Sequence, residues 1–200
     1  LLGRLTKDID LAVDGNAFVV AGDLAASLGG HVVPLGEARN LVRIVTPERP
    51  GRAGSSIDVG SMPEGGIEAD LAARDFTIDA MGVALSDGEF RVIDPFGGRA
   101  DLDKRVIRAV TATALRTDPA RLVRGPRLAA QLRFRIAEET ADQIRTLACL
   151  VTTVAPERLR DELLKLLAHV LEEILHHLLL QHVTQLLELP LCLGVHELVL

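Results

Sequence analysis

The 200 residues are 48% apolar and 25% charged, the composition of a chain that folds into one large or two small globular domains. Two isolated cysteines, Cys149 and Cys192, match no metal spacing, which argues against a disulfide framework or a zinc site and fits a reducing, cytoplasmic setting. The formal charge of -6 does not exclude a nucleic-acid partner. The basic residues Arg99, Lys104, Arg105, Arg108, Arg116, Arg121, Arg124, Arg127, Arg133 and Arg135 gather in one segment.

In chain order, Leu1 to Lys7 lacks a signal-peptide pattern, and the start at Leu1 with an apolar end at Leu200 reads as part of a longer protein. A strand is expected over Ile9 to Val13, then a helix from Ala17 to Leu28 stopped by Gly29-Gly30. Strands follow at His31 to Leu35, Leu41 to Thr46 and Ser56 to Gly60, with the Pro- and Gly-rich stretch Pro47 to Ser55 as a loop. The pattern then predicts a helix over Ile67 to Ala80, and a hairpin pairing Gly82 to Leu85 with Phe90 to Ile93 around Ser86-Asp87-Gly88. Asp94-Pro95-Phe96-Gly97-Gly98 is a turn.

Beyond a boundary near Arg108 to Arg116 the pattern is helical: Pro119 to Arg133, Ala137 to Leu147, Pro156 to His169 and Leu171 to Leu189. Asp118-Pro119 signals a helix start, with Asp as N-cap and Pro at the first helical position, and Leu189-Pro190 ends the last helix. The leucine-rich end is interrupted by charged and polar residues and is not a membrane span. His169, Glu173 and His177 share a helical face, a pattern that more often marks a solvated stripe than a metal site.

The chemistry concentrates in Lys7-Asp8-Ile9-Asp10-Leu11-Ala12-Val13. Residues i and i+2 of a strand share a face, so Asp8 and Asp10 can meet one metal ion, which offsets their mutual repulsion. Two divalent ions bridging a triphosphate usually take three carboxylates, and Asp58, flanked by Ile57 and Val59 on a neighbouring strand, is the candidate third acid. Arg74-Asp75 stands before the apolar run Phe76 to Met81, where Arg74 can reach a phosphate or ribose oxygen.

The order of these segments resembles the class II tRNA nucleotidyltransferases (CCA-adding enzymes) and the bacterial poly(A) polymerases. The resemblance rests on Leu1-Leu2-Gly3-Arg4 leading to Lys7-Asp8-Ile9-Asp10, and on Asp70-Leu71 leading to Arg74-Asp75-Phe76-Thr77-Ile78. It continues through Asp94-Pro95-Phe96-Gly97-Gly98 with Asp101-Leu102, Asp118-Pro119 with Arg121-Leu122 and Arg124, and Pro156-Glu157-Arg158-Leu159 with Glu162-Leu163. Four departures stand beside it. No Gly-Gly-x-Val-Arg-Asp precedes Leu1, Asp79 replaces an Asn, Thr117 replaces a Glu, and Gly125-Pro126 falls inside an expected helix, where proline typically costs about 3 kcal/mol. A kink there would re-aim Arg127 and Arg124.

The resemblance implies an α+β fold: a palm-like, mixed-sheet nucleotidyltransferase head over 1–110, an all-α neck over 111–170 that reads the incoming base, and the start of a helical body over 171–200. It implies Asp8 and Asp10 as ligands of Mg2+, Arg74 as a nucleotide contact, and Asp118, Arg121, Arg124 and Arg127 as the recognition series. The implied partners are tRNA at its 3′ end, with CTP and ATP as substrates. The recognition series also has a physical basis. Side chains three apart on a helix form one ridge. A carboxylate accepts from an exocyclic amino group while a guanidinium donates to the adjacent ring nitrogen, a pairing that suits cytosine and adenine and rejects uracil and guanine. Two rivals share the motifs: a poly(A) polymerase using ATP alone, and a catalytically weakened RNA-binding remnant.

Overall fold

A computed structural model describes residues 8–36, 40–48, 54–86 and 89–188. The contacts divide the chain into two units, residues 1–74 with 80–96, and residues 75–79 with 97–200.

The first unit is built on a mixed four-stranded sheet of order β1-β4-β3-β2, from β1 (Asp8–Val13), β2 (His31–Gly36), β3 (Leu41–Val45) and β4 (Ser56–Ser61). β1 runs parallel to β4, and the other pairings are antiparallel. The expected strands are present, each with its end within a residue or so of the reading. Alternation divides the sheet's faces: Val42, Ile44, Ile57 and Val59 are buried and pack with Ala17, Ala21 and Ala25 of α1 (Ala17–Leu28). Those alanines recur every four residues, so the helix presents a small-residue stripe that lies close on the sheet. Asn16 caps α1 by accepting from the Phe18 N–H at 2.9 Å, and Gly29, at φ 67, ends it. The unit also holds α2 (Gly66–Ala72) and the hairpin of β5 (Gly82–Ser86) and β6 (Glu89–Ile93).

The helix expected over Ile67 to Ala80 is corrected: α2 stops at Ala72, and the chain continues as a bridge at Phe76 and a 3-10 turn over Thr77–Asp79. The backbone of this stretch is taken by distant partners, Thr77 N–H donating to the Arg108 carbonyl at 2.9 Å and Val110 N–H to that of Asp75 at 3.0 Å. An α-helix would use those groups locally.

In the second unit follow α3 (Gly98–Asp103), β7 (Val106–Ile107), α4 (Ala114–Thr117), α5 (Arg121–Leu132), β8 (Arg135–Ile136), α6 (Glu138–Leu147) and α7 (Pro156–Glu188). Its core gathers Phe76, Ile78, Ile107, Leu115, Leu122 and Leu147. The two helices expected around residue 170 are one, because nothing between His169 and Leu171 breaks a helix. Helix α5 begins at Arg121, two residues later than Pro119: Asp118 accepts from the Ala120 N–H at 3.3 Å, and the turn between them is 3-10 in its bonding. The helix runs unbroken through Pro126. Gly125 explains its own presence, since a Cβ there would stand 3.0 Å from Cζ of fully buried Phe76.

Among the described residues, no helix is long and apolar enough to cross a membrane. Several expectations lie outside the described residues: Leu1 to Lys7, Asp87-Gly88, the middle of the loop from Pro47 to Ser55, Leu189-Pro190 and Cys192. The side chains of Asp8, Glu173 and His177 are likewise not described.

Candidate active site

On the sheet face opposite α1, Asp10 of β1 and Asp58 of β4 are residue-for-residue partners in the parallel ladder. Partners in adjacent strands lie on one face roughly 5 Å apart. The backbone of Asp8 stands two residues earlier on the same strand, aligned with Ser56. Asp10 is exposed and Asp58 half-buried. Across the next strand, Arg43 is the antiparallel partner of Asp58, so Asp10, Asp58 and Arg43 form one row over three strands.

Arg43 Nε donates to Asp58 Oδ1 at 2.6 Å and Nη2 to Oδ2 at 2.7 Å, a two-pronged pair that fixes the position and the plane of the carboxylate. The sequence reading missed Arg43. The signal available was a lone cation in the otherwise apolar strand Leu41-Val42-Arg43-Ile44-Val45. The set here is all oxygen, as a hard cation such as Mg2+ prefers, and each Asp58 oxygen retains a lone pair beyond the one given to Arg43. Among the described residues, no three His, Cys, Asp or Glu stand close enough to hold an ion.

Arg74 and Asp75, adjacent in sequence, have different partners. Arg74 Nη2 donates to Asp70 Oδ2 at 2.9 Å, one helical turn back. Buried Asp75 accepts from its neighbour's N–H, that of Phe76, and from Arg124 Nη1, each at 2.9 Å.

In the second unit, the expected ridge of Asp118, Arg121, Arg124 and Arg127 is tied to α7. Asp118 accepts from Arg158 Nη2 at 2.8 Å and has Arg121 Nε at 3.8 Å, while Arg121 Nη1 donates to the Ala114 carbonyl. Burial raises the Asp118 pKa, and Arg158, the Ala120 N–H and Arg121 together outweigh it, leaving the carboxyl below its ordinary value. Glu162, buried, accepts from Arg124 Nε at 3.1 Å and from Arg127 Nε at 2.5 Å. Burial pushes its pKa up, and the two guanidiniums carry the net shift below the ordinary value. Arg124, between Asp75 and Glu162, is held above its ordinary value despite its burial. Pro126 therefore does not detach Arg124 and Arg127 from one shared partner. Glu162 and Arg158 belonged to a quoted motif without a role; the structure makes them the partners of the ridge.

The description "Poly A polymerase head domain" matches residues 1–108, and "Probable RNA and SrmB- binding site of polymerase A" matches residues 133–188. The chain belongs to the poly(A) polymerase and tRNA nucleotidyltransferase family. Within this family, a CC-adding tRNA nucleotidyltransferase of Geobacter sulfurreducens is 44% identical over 167 residues, 84% of this chain and 37% of the relative. An A-adding tRNA nucleotidyltransferase of Halalkalibacterium halodurans is 34% identical over 178 residues, covering 81% of this chain and 41% of the relative. Among solved family structures, the Thermotoga maritima CCA-adding enzyme complexed with tRNA superposes with a TM-score of 0.75 at 32% identity, covering 83% of this chain and 40% of that one. The chain thus spans about two fifths of the length of these family members.

Proposed function

We propose that this chain carries the nucleotide-transfer centre of a cytoplasmic tRNA nucleotidyltransferase, which adds CMP and AMP from CTP and ATP to the 3′ end of tRNA without a nucleic-acid template. The observation that carries this reading is the register of Asp10 with Asp58 across two parallel strands, with Asp8 two residues away on the same strand. The similarity to CC-adding and A-adding relatives supports it.

Asp8 and Asp10 would hold Mg2+, with Asp58 as the third acid. The metal, when bound, lowers the pKa of the RNA 3′-hydroxyl and neutralises charge on the leaving pyrophosphate. The chain's own work is positioning and electrostatics. Arg43 fixes the Asp58 carboxylate, and Arg74, steadied by Asp70, reaches a phosphate or ribose oxygen of the nucleotide. Asp118 accepts from the amino group of cytosine or adenine and Arg121 donates to the adjacent ring nitrogen. Arg158 and the Arg124–Glu162–Arg127 network keep that ridge in place. Uracil and guanine present a carbonyl where Asp118 needs a donor, so they set acceptor against acceptor there.

Primer extension tests the reading, on a tRNA transcript lacking its CCA end, with Mg2+ and each of the four nucleotides alone and together. Addition of C and then A, lost in Asp10→Ala, is expected. Addition of A alone to unrelated RNA ends would replace the reading by a poly(A) polymerase, and tRNA binding without transfer by an RNA-binding remnant.

A further inference from the structure

Two groups of cations stand out in the second unit. Arg108, Arg121, Arg124, Arg127, Arg145, Arg158 and Arg160 each face a carboxylate. Lys104, Arg105 and Arg135 do not, among the described residues, and all three are exposed. They come together at the start of a two-stranded parallel ladder: the Arg135 N–H donates to the Arg105 carbonyl at 3.0 Å, and Val106 pairs with Arg135. Exposed Arg133 flanks them, and the only acid next to them in sequence is Asp103, so the group is net positive.

The backbone adds an independent observation. Arg105 and Arg133 adopt the left-handed conformation, at φ 57 and φ 56. Both follow helix ends, where glycine is the usual residue, and α1 of this chain does end on Gly29. Arginine at these two positions accepts backbone strain that glycine would avoid. A cation also suits a helix C-terminus electrostatically, which is a purely structural reason for the same choice. That reason does not apply to Arg135, which lies in a strand.

We propose that Lys104, Arg105 and Arg135 form a landing surface for the sugar-phosphate backbone of RNA. The proposal rests on the tRNA reading above. It joins residues from both matched regions, the first two from the head-domain match and Arg135 from the RNA-binding match. Exposed guanidiniums without carboxylate partners suit phosphates, since no internal ion pair has to break.

Fluorescence anisotropy with a labelled tRNA transcript, at several KCl concentrations, tests it on wild type, Arg105→Gly, Arg135→Gln and the double variant, with Arg91→Gln, an exposed cation of β6 outside the RNA-binding match, as the charge control. Glycine is the residue the Arg105 conformation favours, so that variant is expected to melt no lower than wild type. Each patch variant is expected to bind roughly fivefold more weakly near physiological salt, and to flatten the slope of log K against log salt by about 0.9 per charge. Unchanged affinity and slope would overturn the proposal, as would an equal loss in Arg91→Gln, which would signify bulk charge alone. Loss of binding to phosphatidylserine vesicles with tRNA binding intact would overturn it in favour of a membrane surface. Absence of tRNA binding by wild type would overturn the tRNA reading as well.

Discussion

Arg43 grips Asp58 with two parallel hydrogen bonds, at 2.6 and 2.7 Å, from the strand opposite the one that carries Asp10. The acid is thus held from one side and flanked by Asp10 on the other. Arg43→Met is expected to lower nucleotide addition by about 10- to 100-fold and to raise the Mg2+ concentration needed, the usual effect of losing a partner behind a ligand. The side chains are 42% and 23% exposed, so stability should fall by less than about 1 kcal/mol. Arg43→Lys, which keeps the charge without the fork, should fall between. A Mg2+ titration of primer extension with parallel urea melts checks this.

Asp10→Asn is expected to reduce transfer by at least a factor on the order of 10² to 10³, the scale for removing one preorganised charge from a reacting centre. Its fold should persist, because the change removes one member of a like-charged pair on an exposed strand position. A thermal melt unchanged or slightly higher, beside lost primer extension, is the expected result. Coincident loss of fold would remove Asp10 from the catalytic set.

Gly125→Val should destabilise the second unit by about 1–3 kcal/mol through overpacking, since even a Cβ at this position lies 3.0 Å and 3.3 Å from two ring carbons of Phe76. Phe76 has no exposed surface into which to turn. Urea unfolding gives the number, and a stability equal to wild type would contradict the close approach.

The acid limb of the stability curve follows from Glu162 and Asp118, both held below their ordinary carboxyl values. A depressed folded pKa contributes stability that is full above the unfolded value and is lost as pH falls through the folded one. Wild type should therefore lose stability progressively below about pH 4.5. Glu162→Gln should cost about 1–3 kcal/mol at neutral pH, because it removes the carboxylate shared by Arg124 and Arg127 and leaves Arg124 with Asp75 alone, and should show a flatter decline in acid. Chemical unfolding at a series of pH values distinguishes the two curves.

Much of this was readable from local pattern. Strand β4 alternates polar and apolar residues from Ser56 to Val59, which places Asp58 on the face away from Ile57 and Val59, and the two-residue spacing of Asp8 and Asp10 needs only strand geometry. What escaped the reading depends on partners far along the chain. Asp75 looked like the companion of Arg74, yet its partner Arg124 lies 49 residues on. The stretch after Ala72 looked helical because its apolar residues suit either period, and hydrogen bonds to Arg108 and Val110 decide its shape. Gly125-Pro126 read as a break because proline propensity is local, whereas the ring of Phe76 beneath Gly125 is not.

The five residues Asp75 to Asp79 belong with the second unit although the chain returns to the first at Ala80. A chimera that exchanged residues 1–96 as a cassette between relatives would therefore import a foreign Phe76 and Thr77 into the recipient's core, and a foreign Asp75 opposite its Arg124. Functional exchange of nucleotide-transfer heads requires leaving those five residues with the recipient, so the natural unit of swapping is interrupted in sequence.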